Sequence, residues 1–346
     1  MSFIKKHPLL IVFIGGLLLR FFLLFLDFSF DVHNHISWAK DLSIRGSSDF
    51  YLKVSSEVFG TKYPNYPPFI LFIFYLFYLL TDGIHGVAWW MNVQIPLFPS
   101  SLIFFLESRP FIAGIMKLPV VFADLGIAWF IVLFAKKLAP KDKNLPLLGA
   151  VCILFNPTFF YNSAYWGQVD AIPLFFTVWA VYIIFVGRQY LLSSLLLTTA
   201  LLMKPTILLF FPLYGYFFWQ KFGIKKVVQV IVLSNIIFWI AFLPFVSIQE
   251  HIMNPYIIFK KQILDAQSLP YITNAAFNFW ILIAQLKGVR DTEIFLFNLS
   301  YQTWGFMITG FLYAIILYYY VRWKNDVKGL FFAAFLMAFS AFLFLT

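Results

Sequence analysis

The sequence predicts an all-α protein, a polytopic transmembrane helical bundle of about 11 spans whose long outer loops carry interfacial helices. Composition is the first ground. Of 346 residues, 62% are hydrophobic and 12% charged, with a mean hydropathy of +0.85, a balance that excludes most soluble classes, disorder and collagen. Aromatic residues make up 22%, which suits lipid-facing and interfacial surfaces. Run length is the second ground: the apolar runs are too long for the alternating segments of a membrane barrel. The third is that charge gathers between the runs. A single cysteine, Cys152, cannot form an intramolecular disulfide, so the fold needs no oxidising compartment.

Windows of about 20 residues place spans near 8–27, 66–81, 91–106, 111–135, 146–163, 169–187, 190–203, 205–219, 227–247, 303–321 and 329–345. Lys5 and Lys6 precede the first run, and no small-residue cleavage site stands before Asp27, so this run reads as a retained helix starting on the cytoplasmic side. The first outer loop, 28–65, contains HNHISWAKDLS. There Ile36, Ala39 and Leu42 share one helical face, as in a helix lying in the membrane interface. Tyr66-Pro67-Pro68 opens the next span with prolines where their missing donors cost nothing. The run 91–106 holds Pro96 and Pro99 and has a re-entrant loop as its alternative; without it the parity of later spans would fail. In the second outer loop, 248–302, the stretch ITNAAFNFWILIAQL is too short to span and reads as a half-buried helix under the outer leaflet. No repeat or soluble domain interrupts 1–346, which reads as one transmembrane domain.

The basic residues support this orientation. Lys5, Lys6, Lys136, Lys137, Lys141, Lys143, Arg188, Lys221, Lys225, Lys226, Arg322, Lys324 and Lys328 fall on the cytoplasmic side, against Asp82, Asp142 and Asp326. The outer segments are balanced between bases and acids. That asymmetry follows the positive-inside rule and accounts for the net charge of +10 without nucleic acid.

Ionisable residues at membrane depth are costly and so mark function or internal pairing. They are Arg20, Asp27, Lys117, Asp124, Asp170 and Lys204, most of them nearer the outer face. Three turns converge there: KYPNYPPF, NPTFFYNSAYWGQVDAIP and MKPTILLFFP. Trp166, Gly167, Gln168 and Asp170 make a polar corner with an aromatic plate, suited to stacking on a sugar while amide and carboxylate bond its hydroxyls. Lys204, before Pro205, can present an ammonium to a phosphate at headgroup level. Arg20 and Lys117 have snorkelling or carboxylate neutralisation as their plain alternative, and Lys117 with Asp124, seven residues apart, suits an internal ion pair. His33 and His35 are spaced poorly for a shared metal, and no carboxylate cluster joins them. No Walker loop or dinucleotide fingerprint is present.

In their order, these segments resemble the GT-C superfamily of polytopic glycosyltransferases, and in particular the bacterial and archaeal branch related to GPI mannosyltransferase II. The resemblance rests on Asp31 with Trp38-Ala39, on Tyr66-Pro67-Pro68, on Lys117, Pro119 and Asp124-Leu125, on Asn156-Pro157 with Trp166 to Asp170, and on Lys204-Pro205. It extends to Asn274 to Trp280, with one extra residue between the two asparagines. Asn65 stands where many relatives carry an acid, and the C-terminal soluble domain of larger members is not expected here. The resemblance implies an inverting transfer of a hexose, with mannose the family-level expectation, from a polyprenyl-phosphate donor to a glycan or lipid-linked acceptor at the outer face of a prokaryotic cell membrane.

Such a transfer needs one base, because a phosphate leaving group is already weakly basic. The resemblance points to Asp31 for it, with Asp27 in reserve. Lys204, then Lys117 and Arg20, would hold the phosphate. Trp166, Gln168 and Asp170 would position sugar or acceptor, with Tyr66, His33 and His35 lining the cleft. No cofactor is expected, and a divalent ion is left open. The alternatives are a lipid-linked glycan polymerase or ligase, and a secondary transporter, which predicts midplane charges on interrupted helices and an internal repeat.

Overall fold

The computed structural model describes residues 6–27, 29–55, 57–58, 63–187, 189–247, 251–266, 270–273, 276–285, 287–322 and 326–345. Lys5, Lys62, Arg188, Glu250, Asn274 and Lys324 lie outside the described residues. The fold is mostly helical, and it divides into two compact units, Met1–Pro205 with Leu233–Asp265 and Thr206–Val232 with Ala266–Thr346.

In the first unit, α1 (Pro8–Leu24) starts with proline in its first turn, where the absent N–H costs nothing. It buries Gly16, Arg20 and Leu24 and leaves Leu10, Ile14, Leu17, Phe21 and Phe22 exposed. Helix α2 (Phe30–Arg45) is capped by the Ser29 hydroxyl, which accepts from the Asp31 N–H at 3.1 Å. Its predicted apolar face is observed, and Ile36, Ala39 and Leu42 are buried together with Val32, His35 and Trp38. That face packs against α3 (Pro68–Gln94) and α5 (Arg109–Leu138), so protein covers it where the sequence suggests an interface.

The runs 66–81 and 91–106 are corrected here. Helix α3 continues unbroken to Gln94, and the chain then breaks at Pro96 and Pro99 before an eight-residue helix, α4 (Ser100–Glu107), too short to span. Arg109, at the start of α5, contacts Asp27, just beyond α1, at 2.8 Å, so the end of α1 and the start of α5 lie together. Phe77, Ile84 and Ala88 of α3 pack with Phe111 and Ile115 at that same end.

Helix α5 runs antiparallel to α1: Phe13 meets Trp129 with ring centroids 6.2 Å apart, and Arg20 meets Asp124. Its far end carries Lys136 and Lys137. Helix α6 (Leu145–Leu154) approaches α1 closely at Gly16, where a Cβ would lie 2.9 Å from Leu154. The chain then bends by 41° into Pro157–Trp166, comprising α7 (Pro157–Phe160) and a π-helical turn, Tyr161–Trp166. The expected span 146–163 is thus broken. Helices α8 (Ala171–Gly187) and α9 (Tyr190–Leu201) form an antiparallel pair, and α8 also packs on α5.

Helix α10 (Phe211–Phe222) belongs to the second unit, and α11 (Ile224–Phe242) carries the chain from that unit back into the first. After α12 (Asn254–Ile258) the expected half-buried helix in 248–302 is not formed. Within it only α13 (Ile281–Ala284) is helical among the described residues, followed by a small hairpin, β1 (Ile294–Leu296) with β2 (Leu299–Ser300). Trp280 explains the departure: it is wholly buried against Phe279, Phe295 and Tyr301, and its indole N–H donates to the Phe344 carbonyl at 2.8 Å. A membrane-surface helix could not wrap it this way. Helices α14 (Tyr301–Arg322) and α15 (Val327–Phe344) pair, and α15 turns Phe332, Phe335, Phe339 and Phe342 outward in one apolar stripe.

Five helices, α3, α5, α11, α14 and α15, are long and apolar enough to cross a membrane, and the bent segment Leu145–Trp166 makes a sixth if it is one span. The 11 spans read from the sequence are therefore not shown. Helices α1, α8 and α9 are apolar but shorter. Exposed apolar faces of this extent need lipid as their solvent, and the chain is a membrane protein.

Candidate functional site

The end of the first unit that holds Asp27 and Arg109 also gathers the polar corner. Asp31 sits in the first turn of α2, where the helix N-terminus favours a carboxylate. Its Oδ2 accepts from the Trp166 indole N–H and, at 2.8 Å, from the Gln168 side-chain amide. No hydrogen bond to its Oδ1 occurs among the described residues. The π-helical turn ends at Gly167 with φ of 86°, a left-handed conformation that aims Trp166 and Gln168 together at α2. Sequence reasoning places these two residues on the substrate; the structure places their donors on Asp31.

Space makes Gly167 decisive. A Cβ there would meet Val32 Cγ2 at 2.1 Å and Lys117 Cε at 3.1 Å, and Val32 is itself buried in α2. Gly167→Ala is expected to cost about 2–4 kcal/mol, combining positive-φ strain with overpacking. A thermal-unfolding midpoint equal to that of the wild type would refute this.

Beside the Asp31 cluster, Lys204 Nζ meets Asp170 Oδ1 at 2.5 Å and lies 5.9 Å from the centre of the Tyr66 ring. Burial opposes the Lys204 charge, but Tyr66, Asp170 and Asp31 outweigh it and raise its pKa above the usual lysine value. The ammonium is thus held charged, though shared with Asp170. Tyr66 is fixed from behind, since its carbonyl accepts from the Tyr51 hydroxyl at 2.7 Å. His35 stacks on Phe74 at 4.2 Å between centroids and meets Tyr66 edge-on. Burial, then the nearby Lys204 charge, lowers its pKa to about 3, so it is a neutral packing ring at physiological pH.

The remaining predicted residues serve the scaffold. Arg20 and Asp124 form an ion pair at 2.8 Å with both side chains fully buried, and Arg20 also donates to the Gly16 and Leu154 carbonyls. The Lys117–Asp124 pair suggested by their spacing is not formed. Lys117 instead donates to the Leu26 carbonyl and, at 3.0 Å, to that of Tyr165, tying α1 and the π-helical turn to α5. Arg109 donates to Asp27 and, at 2.9 Å, to His33 Nδ1, which leaves His33 Nε2–H to donate to the Glu57 carbonyl at 2.5 Å. Sequence reading missed the Asp27–Arg109–His33 chain. The legible part of its signal is that Asp27 and Arg109 are opposite charges at span ends assigned to the same side; that those spans are neighbours is not legible, because two expected spans separate them.

Among the described residues, no three of His, Cys, Asp or Glu gather as a metal site. The arrangement offers one carboxylate held on a single oxygen, one ammonium and an aromatic rim, the equipment for proton removal beside an anion. No protein-family model matches the chain, and no curated protein matches it. Fold and site together define a helical membrane protein with a polar corner at one end of its first unit.

Proposed function

We propose that the protein is a membrane glycosyltransferase of the GT-C kind. It moves a hexose, mannose first among candidates, from a polyprenyl-phosphate donor to a glycan or lipid-linked acceptor at the outer face of a prokaryotic cell membrane. The observation that carries this reading is Asp31, held on one oxygen by Trp166 and Gln168 with Lys204 in the same corner. The acceptor hydroxyl attacks the anomeric carbon and its proton passes to Asp31. The bond from that carbon to the phosphate oxygen breaks, and its electron pair leaves on the phosphate. A preorganised carboxylate costs no reorganisation at that moment. The cation for the departing phosphate is Lys204, which is partly exposed and would exchange its Asp170 contact for the phosphate, whereas Arg20 and Lys117 are buried on internal partners. The membrane-embedded fold suits a donor whose isoprenoid tail must stay in lipid.

Sugar transfer by the purified protein in detergent tests the reading. Polyprenyl-phosphate mannose and glucose are offered separately against a panel of glycan and glycolipid acceptors. Transfer from either donor supports the class; folded protein inactive with both shifts the reading to a diphosphate-linked glycan polymerase or a transporter. Within an active preparation, Lys204→Ala is expected to weaken polyprenyl-phosphate binding about tenfold, as loss of a charge-assisted contact does. A change confined to acceptor affinity would refute the phosphate role.

A further inference from the structure

The hairpin of β1 and β2 ends in a turn whose sequence is at odds with its backbone. Leu296 pairs with Leu299, so Phe297 and Asn298 form a two-residue loop, and both have positive φ, 51° and 58°. That turn matches the twist of a hairpin, and it ordinarily takes Asn, Asp or Gly at both central positions because other side chains are strained there. Asn298 fits. Phe297 does not, since a bulky ring at positive φ is an outlier that persists only where its surroundings hold it. The residue is 80% exposed, so packing within its own unit cannot offset the strain.

The strand behind the turn is apolar inside and out. Phe295 packs inward, stacking on Tyr301 with centroids 4.6 Å apart and meeting Trp280 edge-on. Its neighbours Ile294 and Leu296 are 68% and 46% exposed, at positions where a hairpin in water carries polar residues. Charge is confined to the base: Lys287, Arg290 and Glu293 are exposed, and no charged residue occurs from Ile294 to Val321. The location supplies the solvent. Strand β2 runs directly into α14, which is long and apolar enough to cross a membrane and turns Phe306 and Met307 outward in its second turn. Trp304 joins helix to hairpin, its indole N–H donating to the Leu296 carbonyl at 3.0 Å and its ring lying 6.3 Å from that of Phe297. Such paired aromatics at the start of a span mark the membrane–water boundary.

We propose that the hairpin tip is a membrane-interface anchor whose partner is the lipid surface itself. Phe297, with Ile294 and Leu296, inserts among the headgroups and upper acyl chains of the leaflet that α14 enters, while the charged base stays in water. Transfer of these three side chains out of water is what holds a strained phenylalanine in the turn. Insertion is shallow, about 5–10 Å as for other interfacial segments, because the open edges of a two-stranded ribbon need hydrogen-bond partners that hydrocarbon does not offer. The anchor sets the depth and tilt of α14 at this end, and it is independent of any sugar transfer.

Nitroxide labelling of the full-length protein in phosphatidylcholine nanodiscs tests the anchor. With Cys152→Ala removing the native thiol, single cysteines are introduced by Phe297→Cys, Ile294→Cys and Arg290→Cys. Each label's collision rate is measured with oxygen, which concentrates in lipid, and with a water-soluble nickel chelate. The Phe297→Cys and Ile294→Cys labels are expected to favour oxygen, and the Arg290→Cys label nickel. Nickel dominance in Phe297→Cys overturns the anchor and leaves the tip in water. Exclusion of both reagents there also overturns it, and dipolar broadening between labels would then identify a second copy of the chain as the cover. A sign test needs no label, because Phe297→Asn installs a residue that the turn prefers. Where lipid holds the ring, the thermal-unfolding midpoint in nanodiscs falls despite the relieved strain. A rise, or no change, overturns the anchor.

Discussion

Asp31→Asn is expected to lower kcat for sugar transfer by about 10²–10⁴-fold, the range lost when a positioned general base is removed. The substitution is nearly isosteric. The asparagine carbonyl oxygen can still accept from Trp166 and Gln168, which now both donate to Asp31 Oδ2, so the corner keeps its shape. What it cannot do is take the proton of an acceptor hydroxyl. Donor binding, measured by retention of a labelled polyprenyl-phosphate sugar, is expected to remain near that of the wild type. Unchanged turnover would remove Asp31 from the reaction. Lost donor binding with lost turnover would instead mean that the carboxylate organises the corner.

Arg20→Leu carries the second large effect, on stability. It leaves the Asp124 carboxylate in a fully buried position with its cation gone and with only the Ser163 hydroxyl, at 2.5 Å, still donating to it. Breaking a buried pair on one side costs about 3–5 kcal/mol, because the surviving charge is uncompensated. Folded protein recovered from membranes should fall sharply. The double replacement Arg20→Leu with Asp124→Leu removes both charges and is expected to recover much of the loss, as read from the thermal-unfolding midpoint in detergent. A double variant no more stable than Arg20→Leu alone would show that the two helices need the ion pair itself and not merely charge balance.

That pair shows where sequence reasoning stops. Arg20, Lys117 and Asp124 stand out by their cost in an apolar chain, whereas Asp31 is singled out only by the family resemblance. Which cation meets which carboxylate was not legible. Spacing along one helix favoured Lys117 with Asp124, but α1 packs antiparallel to α5 and brings Arg20 to Asp124 across 104 positions. The same holds for Trp166 and Gln168. Their types suit a sugar, but the left-handed backbone at Gly167 turns their donors onto Asp31.

The run 91–106 failed as a span because hydropathy counts apolar residues, whereas a span also needs unbroken backbone hydrogen bonding, and Pro96 and Pro99 interrupt it. Likewise the apolar stretch around Trp280 looked like a surface helix because periodicity cannot distinguish burial under a hairpin from burial under a leaflet. By itself, then, the sequence determined the membrane class, the helical architecture, the amphipathic face of α2 and the list of residues too costly to be idle. Those follow from composition and local period. Tertiary structure alone decided which charges neutralise one another and which donors hold Asp31, because each depends on contacts between segments distant in the chain.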